Sequence, residues 1–348
     1  MCPGFIDSHL HILSYAATLI GVDLSSVEGQ GIDVFRQRLV HASTNIPSGE
    51  WLRCYSLEAF DKLLGDALNR EFLDEVVPDI PTIIKFNSGH SCLLNSLAME
   101  KVGITNTTEE PLGITFERDL NDGTLNGVLL EADNFLDPRI PKINKKDMKA
   151  ALSIANARFV EKGITTVVDA SESNDLSRLQ IMNDAISEGI LKTGIVFMTG
   201  HRELFEFHRV YDFGEYVNPD LVVGPVKIVI RTSSGQINPD YDELERLVKE
   251  CHHLGFPVAI HAVERDCVSQ AISILYEESM QGDRLEHVSE LSDVDLHRLG
   301  RISVGVSTQP GFIYANGDRY LKHIASGDLV NLYRLRSMID AGVLVGVS

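Results

Sequence analysis

Cysteine, positive charge and long apolar runs are all scarce in this chain. Only five cysteines occur in 348 residues (Cys2, Cys54, Cys92, Cys251 and Cys267), widely spaced and without a CxxC pair. An odd, scattered set excludes a disulfide framework and a thiolate zinc site, and it fits a reducing cytoplasm, where the chain is expected to reside. Lys and Arg total 31 against 50 Asp and Glu, a formal charge of −19. That excess argues against a nucleic-acid or anionic-membrane partner. No apolar run approaches the roughly 18 residues of a membrane-spanning helix. The first residues do not form a signal peptide, and there is no internal repeat or low-complexity tract. A small-molecule substrate and, at most, a second copy of the chain are the expected partners.

What is present is ordinary globular material: 44% hydrophobic and 23% charged residues. From about residue 150 onward, short β-branched runs alternate with amphipathic stretches. The runs are Val167–Asp169, Ile195–Met198, Val226–Ile230, Pro257–His261, Arg284–His287, Ile302–Val306 and Val343–Val347. Helices are expected over Ser177–Glu188, from Leu244 through Cys251 up to Gly255, over Cys267–Glu278 and over Leu332–Ala341. With Phe5–His9 the strand candidates number eight. Buried strands separated by helices mean a parallel sheet, and eight of them an α/β fold of the (β/α)8 barrel type, with a doubly wound open sheet as the runner-up. The gap between the first and second strands is too long for one crossover. It is expected to hold an insertion subdomain, at about 40–145 within a 1–348 barrel. Pro81–Phe86 reads there as a strand, Leu93–Lys101 as a helix and Asn121-Asp122-Gly123 as a turn. Phe5-Ile6-Asp7 starts a strand with almost no lead-in and Gly342–Ser348 stops in one, so both ends read as cuts through a longer protein.

Four of the 12 histidines sit at strand ends: His9 and His11 as an H-x-H closing the first strand, His261 and His287 closing two later ones. Strand C-termini share one face of a parallel barrel, where active sites are built. Alternation points His9 and His11 the same way, so both can reach one cation. Taken singly, each is as well explained as a packed or surface histidine; together they are not. Lys227 lies inside the apolar run Pro225–Ile230, where an unpaired ammonium is expensive. It is either paired with a carboxylate at the barrel mouth, or an amine modified to serve a metal.

The opening Pro3-Gly4-Phe5-Ile6-Asp7-Ser8-His9-Leu10-His11 resembles the first motif of the amidohydrolase superfamily. Trp51-Leu52, Gly89-His90-Ser91, Gly127–Ala132, Val226-Lys227-Ile228, His261-Ala262-Val263, Glu286-His287 and Ser307–Pro310 are similar to its YtcJ-like, amidohydrolase-3 branch. The resemblance covers nearly the whole chain. It implies two divalent ions, zinc the expected metal, with His9 and His11 on the more buried one and His261 and His287 on the other. Lys227 would bridge them as a carbamate, and the cations would acidify a bridging water for attack on a carbonyl. Lys227 and His287 are thereby the expected catalytic residues. His90 is an expected substrate contact, with a helix-capping role equally open.

The implied activity is hydrolysis of a C–N bond in an amide, formamide or cyclic amide. A barrel using the same metals on esters or for an isomerisation is a further option, and an inactive barrel with a regulatory or interaction role is the alternative. Two departures, Ile230-Arg231-Thr232 for the family's aspartate-glycine and Val263–Asp266 for its glycine-aspartate, bear on substrate more than on metal. The family's strand-eight aspartate and its small β-sandwich are not in the 348 residues, so this polypeptide is expected to be catalytically poor.

Overall fold

The computed structural model describes residues 3–348 except 28–29, 48, 58–66, 87–90, 112 and 234–235. The chain divides into two compact units, 1–12 with 152–348, and 13–151.

The first unit is built on eight parallel strands: β1 (Phe5–Leu10), β2 (Ile164–Asp169), β3 (Gly194–Gly200), β4 (Leu221–Val229), β5 (Val258–Ala262), β6 (Arg284–His287), β7 (Gly305–Thr308) and β8 (Val345–Val347). They pair in that order, each with the next. β4 shows why: its residues are buried almost without interruption, as in a strand covered on both faces. Side chains of β2, β3 and β5 (Val168, Met198 and Ala259), with Ala170 just beyond β2, form an apolar cluster. The sheet is nearly closed into a barrel. Among the described residues no ladder joins β8 to β1, but Ser8 Oγ meets Ser307 Oγ at 2.6 Å across the seam. Gly346 is needed there, since a Cβ on it would lie 3.0 Å from that of Ser8.

The crossover helices follow their capping chemistry. Asp175, Asp240 and Ser292 accept hydrogen bonds from the first-turn amides of Arg178, Glu243 and Asp295, opening helices Leu176–Ser187, Tyr241–His253 and Asp293–Leu299. The second of these ends on His252 and His253, suited to the helix dipole. Helix Arg265–Glu278 covers β5, and Leu335–Asp340 precedes β8. Between β7 and β8 lies a helix the sequence did not announce, Gly311–His323, which buries none of its residues.

The second unit begins earlier than the 40–145 expected from sequence. Residues 13–43 already contribute helix Ile32–Ser43 and the short strand Val22–Asp23, which pairs with Leu52–Leu57. Its sheet has six strands, in the order Val22–Asp23, Leu52–Leu57, Thr82–Phe86, Ser91–Leu94, Leu125–Leu130, Thr115–Arg118. Alternation sends Leu52, Cys54, Ile84 and Phe86 to one core with Phe35, Leu39 and Phe72, and Trp51, Ile83, Cys92 and Leu94 to the other with Met99 and Phe116. The helix expected over Leu93–Lys101 is instead a strand end followed by helix Ser96–Val102. Asn95 separates them by capping the amide of Ala98. Asn121-Asp122-Gly123 does turn, between Thr115–Arg118 and Leu125–Leu130, with Gly123 at φ 74. Among the described residues no helix is long and apolar enough to cross a membrane.

Candidate metal centre

The C-terminal end of the barrel collects the strand-end histidines. His9 lies in β1 and His11 one residue beyond it; His261 lies in β5 and His287 ends β6. The parallel register sets Ala262 beside His287 and Val229, two residues past Lys227, beside His261. The rings form a continuous set. His9 is 5.2 Å from His11 and 4.7 Å from His287 between centroids, and His261 is 4.4 Å from His287. The backbone makes an unusual effort here: His287 and Val288 both take left-handed conformations, at φ 73 and 48. For a β-branched valine that is costly, and such strain persists where surrounding structure dictates it.

Three of the rings have Nδ1 engaged by protein. His9 donates to Glu286 Oε2; His11 Nδ1 lies 3.1 Å from Ser171 Oγ; His287 donates to Gln309 Oε1 at 2.6 Å. Nε2 is then the ring nitrogen left to face a cation, and the Nδ1 partners are the supporting contacts that metal-binding histidines characteristically have. Glu286 is itself anchored by Arg284, whose Nε donates to Oε1 at 2.5 Å and whose Nη2 donates to the Ser8 carbonyl at 2.7 Å.

Burial sets the charge states. It lowers the His9 pKa to about 4, helped by the Lys227 charge and opposed by Glu286. Burial also lowers His287, to about 3, with His9 and Lys227 adding to the effect. Both imidazoles are therefore neutral at neutral pH, the form that binds metals. The His9–Glu286 contact is accordingly an N–H···carboxylate hydrogen bond there, although its distance alone would qualify it as an ion pair. For Glu286, burial works upward but is outweighed by Lys227, by the His9 hydrogen bond and by Arg284, so its carboxyl stays well below the usual range.

Lys227 is 2% exposed, and its Nζ has no hydrogen-bond partner among the described residues. Burial brings the amine down to about 8, against the upward pull of Glu286. A buried amine without an acceptor is a poor structural element. Both sequence readings meet here: the Glu286 carboxylate is near enough to pull the amine upward, and an amine brought down to about 8 is one that can lose its proton and add CO2. Among the described residues no three His, Cys, Asp or Glu side chains already form a coordination shell. The fit therefore rests on the donors themselves: neutral rings oriented through Nδ1 and an orphaned amine.

Other polar groups at this end were not singled out from sequence. Asp169, the last residue of β2, is fully buried. His201 follows β3, with a buried Nδ1 that lacks a partner among the described residues and a pKa lowered chiefly by burial. Glu172 and Arg231 approach to 3.5 Å after β2 and β4. Asp169 carried the same signal as Lys227, a charge within a buried run. His201 carried only its place after a strand. His90 lies outside the described residues.

The sequence profile of the amidohydrolase family, of the amidohydrolase-3 type, matches residues 1–348. An N-substituted formamide deformylase from Arthrobacter pascens is 26% identical over 382 residues, covering 99% of this chain and 69% of that protein. Protein LONG AFTER FAR-RED 3 of Arabidopsis thaliana is 24% identical over 396 residues, and this chain spans 64% of its length. A Pyrococcus horikoshii structure described as a metal-dependent hydrolase shares the fold, with a TM-score of 0.76, 21% identity and coverage of 99% of this chain and 70% of that one. With the barrel, its strand-end histidines and a family match over every residue, the chain belongs to the amidohydrolase family.

Proposed function

We propose that this chain is the barrel of a metal-dependent hydrolase that cleaves a C–N bond in an amide, formamide or cyclic amide. The observation that carries the reading is the buried Lys227 amine, without a hydrogen-bond partner among the described residues, beside neutral, pre-oriented imidazoles. The named activity of the Arthrobacter relative supports the choice of bond.

His9 and His11 would hold one cation, His261 and His287 the other, and Lys227, as a carbamate, would supply oxygen ligands to them. Two divalent ions, zinc in the first instance, supply a more acidic water and a polarised substrate carbonyl when bound. The rest is the work of the protein. Glu286, Ser171 and Gln309 hold their rings in one tautomer, so that no reorientation is required on loading. Carbamate formation joins the Lys227 nitrogen to the carbon of CO2 and releases two protons from the ammonium to solvent, so a cationic side chain becomes an anion with two oxygens. Arg284 keeps Glu286 ionised beside it.

The test is metal analysis of the protein after exchange into zinc and bicarbonate, with turnover followed on N-substituted formamides, linear amides and cyclic amides. Two zinc ions per chain are expected, with at most slow release of an amine from one of the classes. Metal at background level together with no turnover would overturn the reading.

A further inference from the structure

Asp169 is fully buried, yet the five proposed ligands leave it no task. Its Oδ1 accepts three hydrogen bonds: from the Ser171 amide at 3.1 Å, from Ser171 Oγ at 2.6 Å and from Asn174 Nδ2 at 3.2 Å. Its Oδ2 is buried and has no partner among the described residues. An unmatched carboxylate oxygen in the interior costs stability that an alanine would not. Keeping an anion here therefore serves something other than packing.

Ser171 shows what that is. A hydroxyl has one proton, and a carboxylate can only accept, so the 2.6 Å bond takes the Ser171 proton toward Asp169. The same Oγ lies 3.1 Å from His11 Nδ1 and has only lone pairs left to offer. Nδ1 must then carry the hydrogen, which leaves the lone pair on Nε2. Backbone pairing supports the alignment: Leu10 is in register with Asp169, and the Ala170 amide donates to the Leu10 carbonyl at 2.8 Å. Ser171 is thus set beside His11 by the β1–β2 ladder itself.

We propose that Asp169, acting through Ser171, is a positioning residue that fixes the tautomer and ring orientation of His11 and strengthens its Nε2 as a metal donor. The inference rests on the metal-hydrolase reading for its purpose, but not for its hydrogen-bond path. His9 receives a carboxylate directly and His287 an amide; His11 receives its carboxylate at one remove.

Two measurements on the full chain test it. The first is the long-range 1H–15N imidazole spectrum of the metal-free protein. His11 is expected as the Nδ1–H tautomer, and an Nε2–H tautomer overturns the proposal without any variant having to fold. The second is zinc affinity by chelator competition in bicarbonate. Asp169→Asn keeps the shape and loses the charge, and Ser171→Ala removes the relay; each is expected to weaken zinc binding ~10–100-fold, while Ser171→Thr stays within about threefold of the parent. Both substitutions cut one path, so the double variant should be no weaker than the worse single one. Unchanged affinity in the single variants, or losses that multiply, overturns the proposal. If the parent chain binds no zinc, the hydrolase reading is what fails, and the imidazole spectrum still decides whether Asp169 holds His11.

Discussion

Two ends of the same barrel treat a buried aspartate in opposite ways. Ahead of β6, Asp283 is 2% exposed and both its oxygens are used. Oδ1 accepts from the Val258 amide at 2.8 Å and from His252 Nε2 at 3.0 Å, and Oδ2 accepts from the Met280 amide at 2.6 Å. It ties the starts of β5 and β6 to the helix Tyr241–His253. At the other end, Asp169 has one oxygen and Lys227 its amine without a partner among the described residues. Among the same residues, the Thr193 hydroxyl, ahead of a strand start, also lacks a partner, and it is neutral. Charges at the strand starts are thus satisfied internally and act as fasteners. Toward the strand ends Glu286 is fully matched by His9 and Arg284, but Asp169 and Lys227 are held with spare valences, at a cost in stability, as expected where a parallel barrel places its chemistry.

The contrast can be broken by substitution. Lys227→Ala should have the largest effect, removing most bound metal and activity, with partial rescue by short carboxylic acids. Lys227→Met should nonetheless leave folding stability within ~1 kcal/mol of the parent or raise it, because an unmatched buried amine is lost. Metal analysis and urea denaturation read the two outcomes, and retained metal would put Lys227 among the fasteners. Asp283→Ala should do the reverse: a loss of ~3 kcal/mol from stranded amide donors, with unchanged metal content per folded molecule. A metal defect in that variant would erase the distinction between the ends.

Acid should separate the two ends next. His9 and His287 are depressed from 6.5 to about 4 and about 3. The unfolded chain therefore binds more protons than the metal-free folded one as pH falls below 6.5. Their contribution is intact above that pH and is lost toward pH 4 and 3, with a slope of roughly 2.5 kcal/mol per pH unit near pH 5. His287→Gln should about halve the slope, and an unchanged slope would mean that these rings are not what acid attacks. The smallest effect belongs to a residue of neither class. Replacing the helix cap Asp240 by Ala should cost ~1 kcal/mol and leave zinc uptake untouched.

The barrel was legible because its strands are runs of branched apolar residues and its helices carry an apolar stripe; Leu244, Val248 and Cys251 are buried as their spacing implies. The gathering of His9, His11, His261 and His287 was legible for the same reason, since each ends or follows such a run. Features without a burial signature were hidden. Gly311–His323 buries nothing, so no periodicity marks it. Leu93 and Leu94 extend a short apolar run that suits a strand or a helix equally, and the Asn95 cap decides only in three dimensions. The free valences of Asp169 and Lys227 depend on neighbours distant in sequence, which no local pattern records.

The ladder between β1 and β2 joins Phe5 to Ile164. During synthesis, the strand that delivers His9 and His11 is made first, yet its partner emerges some 150 residues later. Closing a loop of that length costs roughly 4 kcal/mol of chain entropy beyond a constant, a cost that prior folding of 13–151 reduces by shortening the effective loop. The order of synthesis constrains the centre: β1 can pair only once β2 has emerged, and His9 and His11 can meet His261 and His287 only after β5 and β6 have been made. A nascent chain stalled before β2 would hold both histidines in an unpaired strand, so the capacity to bind metal should arise late in folding and abruptly.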